Sequence, residues 1–531
     1  MICLVYILCY SIECRQGEVF RRLYFLRYNW YDFFVMAEKF YITTAIDYTN
    51  DFPHLGHALE KTQADTLARF HRLRGDDVFF LTGTDEHGVK VVKAAKAAGK
   101  EPREFVDELS RRFQGLLKEL NVSNDDFIRT TDQKRHWPAV HKFWRKLKEN
   151  GDLYKAKYQG LYCVGHEAFI KKSELKNGFC PDHLLEPEKV EEENYFFKLL
   201  KYKDEVKRLI SEDKIKIYPQ FRKEEVLNLI RESEDVSFSR PSKDISWGIP
   251  APDDLEHRIY VWMEALLNYV SAIGYADETQ QFKKLWPADV HLIGKDILRF
   301  HTIIWPAMLL AIGLETPKSI YIHGFITVDG QKMSKTIGNV IDPFDLVKKY
   351  GVDPVRYYLL REIPSYEDGD FSYKKLESRY NADLANNLGN LVSRSVALIE
   401  KFFSGSFPYR RKFVQKEIDD RIIEVWEKYN QNINDFKLHL ALENVFSLVD
   451  FANLYIDENK PWALAENPEK LNLVITNLVV LLLNVAWLLK PFLPETSDRI
   501  FKIIGADKGG KSWEEKPFLV KPEILFPKIE K

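Results

Sequence analysis

At 531 residues, 45% hydrophobic and 29% charged, the chain is long enough for two or three separately cored domains. A formal net charge of −2 excludes a protein that coats nucleic acid by its overall charge, although a local basic face can still grip RNA. Five cysteines (Cys3, Cys9, Cys14, Cys163 and Cys180) are too sparse for a disulfide-stapled secreted fold and point to a reducing, cytoplasmic setting.

Residues 1–36 begin with an apolar run, Met1 to Tyr10, that is short and is followed by no clear small-residue cleavage site. Arg15, Arg21, Arg22 and Arg27 are diluted by Glu13, Glu18 and Asp32. The expectation is a non-functional appendage ahead of a natural start at Met36.

Phe40 to Ala45 is a β-branched apolar run that breaks at a polar turn, Asp47 to Asp51. A helical pattern follows, apolar at Leu55, Leu59, Thr62, Thr66/Leu67, Phe70 and Leu73, and Gly75 closes it as a C-cap. Asp77 to Leu81 is a second buried strand. The βαβ unit so formed has a right-handed crossover and holds ligands beyond the carboxyl ends of its strands. His54 and His57 then stand at a helix N-terminus, where unpaired N–H groups and the helix dipole favour a phosphate. Taken alone, this H-x-x-H pair suits surface or core histidines equally well. Asp85 follows the second strand closely and faces the same crevice, unless it caps a helix beginning near Val89.

From 154 to 259 the alternation of strand and helix breaks. Cys163-x-x-His166 and Cys180-x-x-His183, thirteen residues apart, can close a tetrahedral zinc site of two thiolates and two imidazoles. The alternative is a metal-free subdomain. Strands return at Val290–Ile293 and Ser319–Ile322, with His291 and His323 as satisfied strand-end histidines. Trp262 and Tyr269 lie seven apart, hence two turns along one helix face. Lys332-Met-Ser-Lys-Thr336 follows Gly330 in a strand-and-turn segment and leads to a capped helix over Asp342–Gly351. After Tyr380 the composition becomes helical. Leu471 to Leu489 is long enough for a membrane span, but Asn472, Thr476, Asn477 and Asn484 assign it to a helix bundle and no membrane partner is expected.

Two of these stretches, Pro53-His-Leu-Gly-His57 and Lys332-Met-Ser-Lys-Thr336, resemble the paired signatures of class I aminoacyl-tRNA synthetases, usually written HIGH and KMSKS. Thr82-Gly-Thr-Asp-Glu-His-Gly88, Val261-Trp-Met-Glu-Ala-Leu-Leu-Asn-Tyr269 and Gly294-Lys-Asp-Ile-Leu-Arg-Phe-His301 resemble the methionine-specific members. The resemblance implies an α/β Rossmann-like nucleotide-binding domain (37–153 and 260–328) with a connective-peptide insertion (154–259) that carries the zinc knuckle. A linking region with the KMSKS-type loop (329–380) and an all-α helical-bundle anticodon-binding domain (381–531) follow. The insertion is too short for the large editing domain of the leucine, isoleucine and valine enzymes.

By the same resemblance His54, His57, Lys332 and Lys335 are catalytic, and ATP lies on His54, Gly56, His57, Gly294, Asp296, Lys332, Ser334 and Lys335. Methionine lies among Ala45, Ile46, Tyr48, Asp85, Trp262, Tyr269 and His301, with Asp85 receiving its ammonium group. Asn390, Arg394 and Trp462 read the anticodon, Trp462 from a helix start after Pro461. ATP with Mg²⁺, structural Zn²⁺ on Cys163, His166, Cys180 and His183, methionine, and initiator and elongator tRNA(Met) are the implied cofactors and partners of a monomer. Another class I synthetase, a small-molecule nucleotidylyltransferase and a non-catalytic tRNA-binding paralogue remain as alternatives.

Overall fold

The computed structural model describes residues 38–530 except 165–167, 171, 173–174, 182–184, 334–337 and 507–515. The expected appendage therefore lies outside the described residues, as do His166, His183, Ser334 and Lys335.

A seven-stranded sheet positions the site. Its strands are β1 (Lys39–Thr44), β2 (Asp47–Tyr48), β3 (Asp77–Asp85), β4 (Asp126–Arg129), β5 (Lys216–Tyr218), β6 (Val290–Gly294) and β7 (Ser319–His323). The order is β2-β3-β1-β6-β7-β5, with β4 on β3, and every pairing is parallel. β1 faces residues 77–81 of β3 and β2 faces Thr84 and Asp85, while β4 spans Leu81 to Thr84 from the opposite edge. β2 therefore continues the line of β1 after a break at Ala45-Ile46. Helix α1 (Leu55–Arg74) ends at Gly75, whose φ of 87° needs a residue without a side chain.

Parallel sheets are covered on both faces, and alternation along β1 divides its side chains between two cores. Phe40 and Ile42 join Leu67 and Phe70 of α1 in a core that continues into Tyr429, Val445 and Leu482 of the C-terminal bundle. Tyr41 turns the other way, onto Trp144, Tyr269, Ile303 and Trp305. The bundle thus docks on the helix that follows β1.

Segment 154–259 is not wholly an insertion. Leu153–Cys163 pairs antiparallel with Glu188–Phe197 and with Ala168–Ile170, but β5, from the same segment, belongs to the main sheet, where it pairs with β7 at Ile217↔Ile320. Ile217 buries completely there, and that burial draws the chain back into the main fold.

Helix Pro468–Leu489 is apolar and long enough to cross a membrane, yet it is largely buried in the bundle. Two of its polar residues, Asn477 and Asn484, find partners at the bundle seams. Asn477 Nδ2 donates to Gln415 Oε1 (2.7 Å) and Tyr455 Oη (2.9 Å), and Asn484 Oδ1 accepts the Trp426 indole N–H at 2.9 Å. Among the described residues Thr476 Oγ1 and Asn472 Oδ1 have no partner.

Candidate active site

Because the strands run parallel, the carboxyl ends of β1, β3, β6 and β7 share one edge, and α1 starts there. His54 is the N-cap of α1, with extended backbone, and its Nδ1 accepts the Gly56 N–H at 3.1 Å. His57 Nδ1 in turn accepts the His54 N–H at 3.1 Å, a capping box built from two imidazoles. A nitrogen that accepts carries no proton, so each neutral ring holds its hydrogen on Nε2 as a donor. Burial lowers the pKa of His54, and burial together with the repulsion a positive charge would meet from His54, Lys61 and His323 lowers that of His57 well below the ordinary value. Gly56 permits this arrangement, since a Cβ there would meet His54 Cε1 at 2.9 Å. Gly294, at the end of β6, is likewise confined. Its Cβ would lie 2.7 Å from the Asp296 carboxylate, with His323 beyond.

The residues expected around methionine border one core. Ala45, Ile46, Tyr48 and Trp262 are half-buried against the cluster that contains Tyr269. Tyr48 pairs with Asp85 across β2 and β3. Asp85 is not a helix cap, because helix Val89–Ala97 starts behind Gly88 without any side-chain cap. Trp262 stacks on Phe300, with centroids 3.8 Å apart. The two turns expected between Trp262 and Tyr269 are interrupted. Val261–Leu266 and Asn268–Ser271 are separate short helices, meeting at Leu267.

His301 lies on a π-helical turn, Phe300–Ile304, a widening that often accompanies functional sites. Its Nδ1 is 3.0 Å from the Ile297 carbonyl, which can only accept, so Nδ1 holds the proton and Nε2 accepts the Tyr269 hydroxyl at 2.7 Å. Burial depresses this imidazole to about 4. Its folded value therefore lies below that of the unfolded chain, and between the two pH values the unfolded state holds the extra proton. The stability is present above about pH 6.5 and is lost as the pH falls towards 4, to the extent of roughly 3 kcal/mol. Urea melts across that range should show the gap between the native chain and His301→Gln narrowing in acid. A gap independent of pH would contradict the buried neutral ring.

Several charged groups at this edge were not anticipated. Lys61, one turn beyond His57 on α1, buries its ammonium against Asp47 Oδ1 (2.9 Å), Glu60 Oε1 (2.7 Å), Thr44 Oγ1 (3.1 Å) and the Ala45 carbonyl (3.0 Å). Glu60 Oε2 reaches His323 Nε2 at 3.2 Å, and His323 Nδ1 donates to the Gly324 carbonyl. Burial pushes the Asp47 carboxyl up, to about 7, against the pull of Lys61. Burial also opposes the charge of Glu60, yet Lys61 and His323 carry it below the usual glutamate value. Beneath the Thr82–Gly88 segment Glu264 accepts from His87 (2.8 Å) and His136 (2.9 Å), and the Trp247 indole donates to the Glu86 carbonyl at 2.6 Å. Arg240 forms a buried two-pronged pair with Glu192, its guanidinium 4.3 Å from the Tyr162 ring centre. Glu264 lies inside a stretch already singled out in the sequence. Arg240 carried no local signal beyond its place in the 154–259 insertion.

The remaining sequence assignments fall elsewhere. Lys332 ends the short strand Gln331–Lys332, which pairs with Ile326–Val328. Asp370 Oδ1 accepts the Gly330 N–H and the Thr327 hydroxyl, both at 2.7 Å, and so clamps this hairpin. Cys163 and Cys180 are both buried, and among the described residues no group of three or more potential metal ligands gathers. In the bundle, Asn390 is exposed at the head of helix Asn390–Phe403. Arg394 pairs with Asp457, and Trp462 is 47% exposed, open enough to stack on a base. Trp462 lies on a single 3₁₀ turn, Pro461–Ala463, and not at the start of a helix. The left-handed Lys460 ends the preceding helix, and the next begins only at Pro468.

Comparison with known proteins agrees with this arrangement. The profile described as tRNA synthetases class I (M) matches residues 40–189 and 173–396, and the anticodon-binding domain of tRNA ligase matches residues 415–529. The methionine–tRNA ligase of Thermotoga maritima is 46% identical over 508 residues, covering 93% of this chain and 80% of the relative. That of Rickettsia conorii is 41% identical, covering 93% and 100%. The crystal structure of Mycobacterium tuberculosis methionyl-tRNA synthetase in complex with methionyl-adenylate superposes with a TM-score of 0.86 at 37% identity, covering 92% of this chain and 100% of that one. Two parallel-strand halves, a paired-histidine helix start, a docked helical bundle and relatives alike over almost the whole length lead to one conclusion: the chain belongs to the class I tRNA synthetases (M), the family of methionine–tRNA ligases.

Proposed function

We propose that the carboxyl edge of the sheet is where methionine and ATP react. The chain is an ATP-dependent methionine–tRNA ligase. A carboxylate oxygen of methionine attacks the α-phosphorus of ATP, the bond to pyrophosphate breaks, and methionyl-adenylate results. The 3′-terminal adenosine of tRNA then takes the methionyl group and releases AMP. No covalent enzyme intermediate is needed, so the work is in-line positioning and stabilisation of charge on the phosphate oxygens.

The observation that carries this reading is the imidazole capping box, with its two Nε2–H donors, together with the buried, hydrogen-bonded Tyr269–His301 pair. His54 and His57 donate to phosphate oxygens with the α1 dipole behind them. By the KMSKS resemblance Lys332 and Lys335 supply positive charge to the departing pyrophosphate and Ser334 belongs to the ATP site, while Gly56, Gly294 and Asp296 shape the nucleotide's seat. Mg²⁺ accompanies the triphosphate. Ala45, Ile46, Tyr48, Trp262, Tyr269 and His301 enclose the thioether, and Asp85 attracts the ammonium group through a charge-assisted hydrogen bond. Asn390, Arg394 and Trp462 read unstacked anticodon bases of initiator and elongator tRNA alike. Pyrophosphate exchange into ATP is expected with methionine and not with leucine or cysteine. Exchange that follows another amino acid, or none, sinks the reading.

The two buried thiols also support a structural zinc, held by Cys163 and Cys180 with His166 and His183. Thiolates and imidazoles are the donor set zinc prefers, and the ion would brace the insertion and take no part in the chemistry. Metal analysis of purified protein should find about one zinc per chain, by the one-ion stoichiometry of such a knuckle, and Cys180→Ala should lose it. Zinc-free native protein rules the site out.

A further inference from the structure

Lys61 is fully buried, 1% exposed, on the helix that carries the paired histidines. A lone buried ammonium costs several kcal/mol, and an apolar side chain would fill this space at lower cost. What the ammonium provides is connection. His57 and Lys61 are four residues apart, hence on one face of α1. The three N–H groups of Lys61 meet the side chain of Thr44 and the carbonyl of Ala45 at the end of β1, Asp47 on β2, and Glu60 on α1 itself. Ala45, Ile46 and Tyr48 belong to that same short segment, which borders the Tyr269 core. One side chain therefore ties the segment beside methionine to the helix that meets ATP.

Glu60, its neighbour, extends the tie to His323 at the end of β7. Three strand ends and the first turns of α1 are thereby joined through two adjacent residues. Loops leave a sheet with considerable freedom, and Ala45-Ile46 is the break between the part of the chain that pairs with β3 as β1 and the part that pairs with it as β2. Here the backbone would drift most readily if the ammonium were absent.

We infer that Lys61 is a positioning residue for adenylate formation, holding the Ala45–Tyr48 segment in register with His54 and His57 so that the methionine carboxylate meets the α-phosphorus in line. This rests on the function proposed above. Misplacement of about 1 Å costs about 100-fold in rate. Lys61→Met, in the full chain, is accordingly expected to lower kcat of methionine-dependent pyrophosphate exchange about 100-fold per adenylate-forming site. It should also weaken equilibrium methionine binding, while KM for ATP stays within about threefold because the paired histidines at the start of α1 are left in place for the nucleotide.

A merely structural lysine would lower the melting temperature and leave kcat per folded site intact. Should Lys61→Met fail to fold with Asp47 left unpaired, Lys61→Met combined with Asp47→Asn removes the stranded charge and must show the same kcat defect. Lys61→Arg keeps the charge, and so the fold, but its planar fork cannot reproduce the four contacts of an ammonium. A loss of about tenfold or more is expected there too. A folded neutral variant, or Lys61→Arg, with native kcat and native methionine affinity overturns the proposal. A native chain without methionine-dependent exchange overturns the proposed function instead, so the two failures are told apart.

Discussion

His57→Ala is expected to slow methionine-dependent pyrophosphate exchange by about 10²–10³, the usual consequence of removing one preorganised donor from a charge-gathering site. Methionine should bind nearly as before, because the role proposed for this ring is to donate to phosphate oxygens and not to the amino acid. Charge is not what is lost. Burial, and the repulsion a second positive charge would meet beside His54, Lys61 and His323, keep this imidazole neutral, so it can serve as an N–H donor whose direction is fixed by the bond from the His54 N–H to its Nδ1. Loss of the cap acceptor will also destabilise α1, by about 1 kcal/mol, and the two effects must be separated. His57→Asn restores a side-chain acceptor for the cap but places no donor where the ring Nε2 stood. Stability should return with asparagine and the rate should not. If asparagine restores both, the histidine is only a cap; an alanine variant within about threefold of native exchange defeats the assignment outright.

Much of the scaffold was legible because it depends on local rules. The periodicity from Leu55 to Leu73, closed by Gly75, set α1 to within a residue of its observed ends. The apolar runs at Phe40, Asp77, Val290 and Ser319 are strands of the parallel sheet. β5 escaped notice because three residues give no readable period, and only its partner β7 makes Lys216–Tyr218 a strand. Leu267 divided the Trp262–Tyr269 helix for a tertiary reason as well, since Leu267 and Tyr269 both bury fully.

Within the site, the residues that carried a motif were visible and the residues that fasten them were not. Lys61 in an amphipathic helix reads as a solvated cation. Its burial depends on Asp47 and Thr44, which precede it, and on Glu60, whose other oxygen engages a histidine 263 positions away. The two histidines taken as satisfied strand-end groups are hydrogen-bonded as expected. His291 bonds Thr43 and the Trp305 indole, whereas His323 is drawn into the charged cluster. No spacing in the sequence separates those two outcomes.

Arg356→Met should cost about 3–5 kcal/mol of unfolding free energy, the range for stripping one partner from a buried ion pair. The guanidinium is wholly buried, and every contact crosses between elements. It meets Asp65 Oδ2 of α1 at 2.8 Å, the Leu120 carbonyl after helix Pro102–Glu119 at 3.0 Å, and the Phe492 and Pro491 carbonyls of the bundle at 2.8 and 3.2 Å. Asp65 retains Arg69 and Ser123 when Arg356 is lost, so the aspartate alone does not account for the full penalty. The three carbonyls lose a donor as well, and buried acceptors left unsatisfied are costly. Asp65→Leu combined with Arg356→Met should therefore recover only part of the loss, although a buried ion pair replaced by apolar residues is often neutral. Because the carbonyls lie on both sides of the junction, the single variant should also unfold in two steps, the bundle separating from the sheet before the sheet melts. A loss below about 1 kcal/mol, or full recovery in the double variant, would show that the junction rests on the shared apolar core of Phe70 and Tyr429 and not on this guanidinium.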